Sequence, residues 1–108
     1  MLALTSCHSE NEKSIQGKWQ GIEWLANGKP SDMKATATAF EFDDKGNYSF
    51  DYAGEMQTGT YKVENNMLFT TPVGEQEIMV KITKLKGDTL VFDMNRGGRP
   101  EILTLIKK

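Results

Sequence analysis

The chain has 108 residues, with 13 Lys and Arg against 15 Asp and Glu, 38% hydrophobic residues, one Cys and one His. That length makes one domain with one modest core, and a net charge of −2 without a run of Lys or Arg gives no field for a phosphate backbone, so no nucleic-acid partner is expected. One Cys cannot form an internal disulfide, and one Cys with one His cannot build a His/Cys zinc site, so no metal or cofactor is expected.

Residues 1–7 end in Leu4-Thr5-Ser6-Cys7, a leucine, two small residues and a cysteine, which resembles the lipobox at which bacterial lipoprotein signals are cut. The resemblance implies that Cys7 carries lipid and that residues 1–7 are the end of a signal whose start lies upstream of Met1, because Met1 to Leu4 supply too little of an apolar stretch. Residues 8–16, opening on His8-Ser9-Glu10-Asn11-Glu12-Lys13-Ser14, are polar and without periodicity, as a tether between an anchor and a folded domain should be. The alternative is an ordinary cysteine on a disordered cytoplasmic N-terminus. No apolar run approaches the roughly 18 residues of a membrane-spanning helix.

From Gly17 to Lys108 the pattern has period two with regular turn signals, which predicts an all-β domain over 17–108 and no helix. Eight strands are expected, at 17–25, 38–43, 47–52, 57–64, 67–71, 76–84, 88–94 and 99–107. Asp43-Asp44-Lys45-Gly46 suits a tight turn that sets Phe42 opposite Tyr48 and Phe40 opposite Phe50. Asn65-Asn66 tolerates positive φ, setting Val63 opposite Leu68 and Tyr61 opposite Thr70. A turn at 85–87 would set Ile82 opposite Leu90, Val80 opposite Phe92 and Ile78 opposite Met94. In every hairpin the apolar side chains then share one inward face, with Leu103 and Leu105 joining from the last strand. Tight turns at 44–46, 65–66 and 85–87 alternate with looser connections at 26–37, 53–56, 72–75 and 95–98. In a meander this gives a closed base and an open mouth, and the longest loop, 26–37, reads as a lid.

Gly17-Lys18-Trp19 at the head of the first strand resembles the G-x-W motif of the lipocalin and fatty-acid-binding superfamily. With the lipobox, the polar leash and the FEFDDKGNYSF and TGTYKVENN hairpins, the chain is similar to small lipocalin-like lipoproteins of Gram-negative bacteria. The resemblance implies an eight-stranded antiparallel up-and-down barrel, Trp19 plugging its base and mouth loops that meet a ligand. The helix that follows a lipocalin barrel is absent, and the carboxylate clamp of fatty-acid-binding proteins has no counterpart here.

Nucleophilic catalysis needs a base beside Ser, Thr or Cys, and the only histidine, His8, is on the leash, so no enzyme is expected. Asp43, Asp44 and Asn47 do not match a calcium loop and read as turn residues. Phe40, Phe50, Tyr52, Ile78, Phe92 and Met94 face inward and could line a ligand pocket, although core filling explains them equally well. Arg99 is expected at the mouth opposite Met94, with Glu101 on the same face, either orienting an acidic ligand group or forming a rim ion pair. Met33 and Met56 join Met94 as candidates for an adaptable apolar entrance.

On the outer wall Ile22, Val91, Ile102 and Ile106, with Trp24, would make an apolar stripe suited to a homodimer. A bulge in the first strand would remove part of it by turning Trp24 inward. The expectation is a membrane-anchored, non-enzymatic lipoprotein of the bacterial cell envelope, periplasmic or surface-facing, that binds a small hydrophobic or amphipathic ligand at the barrel mouth. The alternative is a filled barrel acting through its outer surface as a protein interaction or assembly module. A binder needs a void of roughly 300 Å³ or more open at the mouth; a filled barrel has none.

Overall fold

The computed structural model describes residues 13–96 and 98–108, so the lipobox, Cys7 and most of the tether lie outside the described residues. Residues 13–15 make one helical turn that leads into β1 (Gly17–Ala26). A two-residue β2 (Lys29–Pro30) folds back on the end of β1, and a short 3-10 turn follows at Ala35–Ala37. The remaining strands are β3 (Thr38–Phe42), β4 (Asn47–Tyr52), β5 (Glu55–Glu64), β6 (Met67–Pro72), β7 (Ile78–Lys86), β8 (Thr89–Arg96) and β9 (Arg99–Lys107). Each pairs antiparallel with its neighbours, and β1 pairs with both β3 and β9, which closes an eight-stranded meander barrel with β2 as an appendage.

The registers follow from turn chemistry. Phe42 sits opposite Tyr48 and Phe40 opposite Phe50, as expected, because Gly46 takes φ 85° and Asp43 Oδ1 accepts the backbone N–H groups of Lys45 and Asn47 at 2.8 Å. Asn65 adopts φ 56°, which places Val63 opposite Leu68 and Tyr61 opposite Thr70. The β7–β8 hairpin differs from expectation. Its turn is Gly87-Asp88, with Lys86 opposite Thr89, and a bulge between Ile82 and Lys84 then sets Ile82 opposite Phe92. Leu85 is the physical reason. Its inward packing, out of step with Ile82, requires one extra residue in the strand.

At the last hairpin Met94 lies opposite Glu101, and Arg99 lies opposite Arg96, rather than Met94 opposite Arg99. The connections at this end are tighter than the sequence suggested, since β4 and β5 are joined by Ala53-Gly54 alone, at φ 54° and 92°. The 26–37 loop is also partly built. Asn27-Gly28 turns the chain at φ 53° and 78°, and β2 and the 3-10 turn give the stretch secondary structure where none was expected.

The core runs along the barrel axis. Ile15, Trp19, Phe42, Val63, Leu68, Leu90, Phe92, Leu103 and Leu105 are almost wholly shielded from solvent. Ile15, inside the stretch read as tether, seals the base together with Trp19, whose indole N–H donates to the Ile15 carbonyl at 2.7 Å. Lys107 Nζ lies 5.4 Å from the centre of the same indole.

Candidate functional site

Above this sealed base the inward face loosens. Phe40, Phe50, Tyr52, Val80 and Met94 face inward and pack on the core but are only partly buried. Phe40 is their hub, with ring centres 4.7 Å from Phe50, 5.6 Å from Phe92 and 5.6 Å from Phe42. Such offset and edge contacts make a stiff aromatic layer across the barrel. Of the expected lining residues, Phe40, Phe50 and Phe92 are brought into this layer, Tyr52 and Met94 stand near it, and Ile78 is exposed at the start of β7. Ile78 is therefore a rim residue, because β7 extends only to Thr70 of β6 at its mouth end. Tyr48, below the layer, donates its hydroxyl to Gln57 Oε1 at 3.0 Å, and burial raises its phenol above the ordinary value.

The β1 side of the mouth is organised by a bulge. The register between β1 and β9 shifts between Gly21 and Glu23, so Ile22 is extruded and Trp24 turns inward, where it is buried. Its indole N–H donates to Glu101 Oε1 at 2.7 Å. Glu101 is fully buried, and its Oε2 lies 3.4 Å from Nε of Arg99, which is more than half exposed at the rim. The sequence placed Glu101 at the mouth but gave no sign of its burial. The signal for its partner was present in the mismatched spacing of Trp19 and Trp24. With Trp24 inside, the outer stripe is reduced to exposed Ile22 and Ile106 and half-buried Val91 and Ile102.

The stretch 31–37 straps this side of the mouth. The β1–β3 ladder ends at Gln20 opposite Ala39, and the strap fills the space beyond it. Gln20 bridges the seam, donating its side-chain N–H groups to the carbonyls of Thr36 at 2.8 Å and Thr38 at 3.1 Å. Ser31 N–H donates to the Trp24 carbonyl at 2.9 Å, and Lys34 N–H to the Tyr52 hydroxyl at 2.9 Å. A side chain at Gly21 would collide with the Ala35 carbonyl, so only glycine lets the strap lie this close. Met33 and Ala35 pack from the strap onto the core.

Between the strap and β1 runs an open groove of about 530 Å³, with Ile22, Trp24, Leu25, Pro30 and Met33 among its lining residues. It exceeds the size a small ligand needs, but it opens at the flank of the mouth rather than down the barrel axis. The aromatic layer and Arg99 do not line it. A polar groove of about 390 Å³ lies elsewhere, beside Glu41, Ser49, Thr58 and Thr60. Met56, at 65% exposure, lines neither groove. Among the described residues, no group of three or more His, Cys, Asp or Glu side chains converges as metal ligands would.

This combination of closed meander, G-x-W strand and sealed base defines a lipocalin-like barrel. The profile of the lipocalin-like domain matches residues 15–92, and the chain belongs to that family. Two solved structures share the fold. One is an uncharacterized protein from Bacteroides eggerthii DSM 20697, 17% identical, covering 86% of this chain and 98% of its own, with a TM-score of 0.67. The other is a lipocalin-like protein from Bacteroides uniformis ATCC 8492, 15% identical, covering 88% of this chain and 99% of its own, also at 0.67. No curated protein matches the chain.

Proposed function

We propose that this protein is a non-enzymatic lipoprotein of the bacterial cell envelope that binds a small hydrophobic or amphipathic molecule at the mouth of its barrel. The observation that carries this reading is the half-buried inward ring of Phe40, Phe50, Tyr52, Val80 and Met94, set above a base closed to solvent. Apolar side chains that face into a barrel yet keep contact with water release free energy when a ligand covers them. The aromatic layer beneath keeps the ligand shallow, and the groove under the 31–37 strap provides adjoining apolar surface at Trp24 and Met33. The anchor assigned to Cys7 fits this arrangement. The chain enters the barrel at the base, through the helical turn at 13–15, so a lipidated Cys7 would hold the base toward the membrane and leave the mouth facing away.

Native mass spectrometry of the protein from its own cells tests the ligand. The expected result is a reproducible adduct of a few hundred daltons that organic solvent strips and that Phe50→Trp, which fills the mouth, abolishes. A clean apo mass would move the function to the outer wall, and a dimer that Ile102→Lys converts to monomer would identify the surface. Cell fractionation tests the anchor: Cys7→Ala should release the protein from the membrane fraction, and unchanged membrane retention would refute lipidation.

A further inference from the structure

Beyond Pro72 the barrel wall has an open seam. β4 and β5 stay paired as far as Tyr52 opposite Glu55, whereas β6 leaves β5 at Pro72 opposite Gly59. The sequence sets the departure. Proline has no N–H to carry the ladder further, and Gly74, at φ 78°, turns the chain off the sheet into the 73–77 connection. Among the described residues, Glu55 to Thr58 therefore have a strand on the β4 side alone, and the last bond across the seam runs from the Val73 N–H to the Thr58 carbonyl at 3.0 Å. That bond fixes the parity. Alternate residues of an antiparallel ladder turn their main-chain groups to alternate sides, so the N–H of Thr58 and both main-chain groups of Met56 also point into the seam. Glu55, Met56 and Thr58 are exposed, as is every residue from 73 to 78, so the connection does not cover the edge.

An unpaired row of main-chain groups is a template for another strand, and charge on the edge decides which strand it admits. Met56, Val73 and Ile78, three of the six exposed large apolar side chains among the described residues, lie on the edge or at the ends of the connection beside it. Residues 51–58 and 72–78 also hold Asp51, Glu55, Glu75 and Glu77 and no Lys or Arg, a count of 0 − 4 = −4. This sign selects the occupant. A second copy would set −4 against −4, the chain's own residues 8–14 carry two Glu against one Lys, and a membrane surface is itself anionic. An extended segment with Lys or Arg has the complementary charge.

We propose that the Glu55–Thr58 edge is a strand-addition site for an extended basic segment of a protein partner, which continues the line that β6 leaves at Pro72. The segment runs antiparallel to β5, and one of its residues exchanges both main-chain bonds with Met56. The side chain of that residue falls on the outer face with Met56, so an apolar group fits there. Its two neighbours point to the other face, where Glu55 and Gln57 stand opposite Tyr52 and Phe50, so basic groups fit those positions. A segment that alternates basic and apolar residues meets both demands. The site lies in the wall at the rim and stands whether or not the mouth takes an apolar ligand.

Titration of the isotope-labelled protein with an end-blocked octapeptide of alternating lysine and valine, followed amide by amide in NMR spectra, tests the assignment. The expected result is a set of shifts centred on Met56 and Thr58, with slowed hydrogen exchange of both amides. A control peptide with proline in place of valine keeps the charge but cannot add as a strand, and it should bind about tenfold more weakly or worse. Met56→Pro removes the donor at the edge. Because that N–H points away from β4, the fold should survive while affinity for the octapeptide falls by a similar factor. Glu55→Gln combined with Glu75→Gln and Glu77→Gln should weaken binding about tenfold at low salt, and the difference should shrink at high salt. Equal binding of the proline peptide, or unchanged affinity in both variants, would overturn strand addition. Protection of the Met56 amide that grows with protein concentration alone would replace the basic partner by a second copy. Shifts at Met56 with vesicles of phosphatidylglycerol and none with the peptide would assign the edge to a membrane, and no shift with any probe would overturn the site.

Discussion

At the base of the barrel Ile15, Trp19, Leu90 and Leu105 have no exposed surface, and the ladder of β1 runs unbroken from Gly17 to Gln20 on the β3 side and from Trp19 to Gly21 on the β9 side. Toward the mouth β1 passes through a bulge at Ile22, its seam with β3 is filled by the 31–37 strap, and inward side chains still touch water. The two ends share composition and period, so the difference lies in closure. Main-chain pairing on every side buries side chains completely, whereas side-chain bonds such as Gln20 to Thr36 and Thr38 hold a segment in place without excluding solvent. Stability is thereby concentrated at one end and surface for binding at the other.

Truncations should break the molecule unevenly if that contrast is right. Trp19→Ala removes a fully buried indole and its bond to Ile15, and should cost about 3–5 kcal/mol in chemical denaturation. Phe50→Ala, in the half-buried layer, should cost about half as much, because part of its ring is already solvated. Equal costs would mean that the mouth is packed as tightly as the base, and the ligand reading would lose its physical ground.

Trp24→Phe sharpens the same contrast on the β1 side. It keeps the ring that meets Tyr52 edge-on at 6.4 Å and deletes the N–H that satisfies Glu101. Loss of a donor to a buried carboxylate should destabilise by about 1–3 kcal/mol, and the double variant Trp24→Phe with Glu101→Leu should recover most of it. Failure of the double variant to recover would show that the indole bond is not the main support of Glu101, whose ion pair with Arg99 is lost in the same variant.

How much of this was readable in the chain depends on what set each feature. The Asp43–Gly46 and Asn65-Asn66 turns dictate their own φ values, so the β3–β4 and β5–β6 registers and the shared inward face followed from local chemistry. At Lys84-Leu85-Lys86-Gly87-Asp88 two turn placements satisfy the same residues, and only the inward packing of Leu85 chooses between them. The Trp24 bulge was foreshadowed by two tryptophans of opposite parity in one strand. The burial of Glu101 and the strap over Gly21 depend on which strands end up adjacent, and a glutamate near a strand end reads as a rim charge until Trp24 is known to face it.

A smaller effect separates the two ends of β4. Ala53, in the mouth turn, adopts φ 54°, a left-handed conformation that costs an alanine about 1–2 kcal/mol, whereas Gly46 in the base turn has no such penalty. Ala53→Gly should therefore stabilise the protein, by about 0.5–1 kcal/mol once the extra freedom of glycine in the unfolded chain is counted. The denaturation midpoint would rise with an unchanged slope; a fall would mean that the turn relies on the alanine side chain.

The base turn offers a pH-dependent counterpart. The backbone N–H of Asn47, and then that of Lys45, hold the Asp43 carboxyl below its ordinary value, and the carbonyl of the same residue accepts the Tyr61 hydroxyl at 2.6 Å. A carboxylate whose folded-state value is depressed contributes stability that is complete above the unfolded value and lost as pH falls through the folded one. The advantage of the wild type over Asp43→Ala should thus be full near neutral pH and shrink steadily below the ordinary aspartate range, measured by denaturant titration across that interval. The carboxyl is open to solvent, so the effect should be modest and should weaken with added salt. An advantage that persists unchanged into acid would show that the turn is held by the Asp43 backbone, through Tyr61 and the Asn47 carbonyl, rather than by its charge.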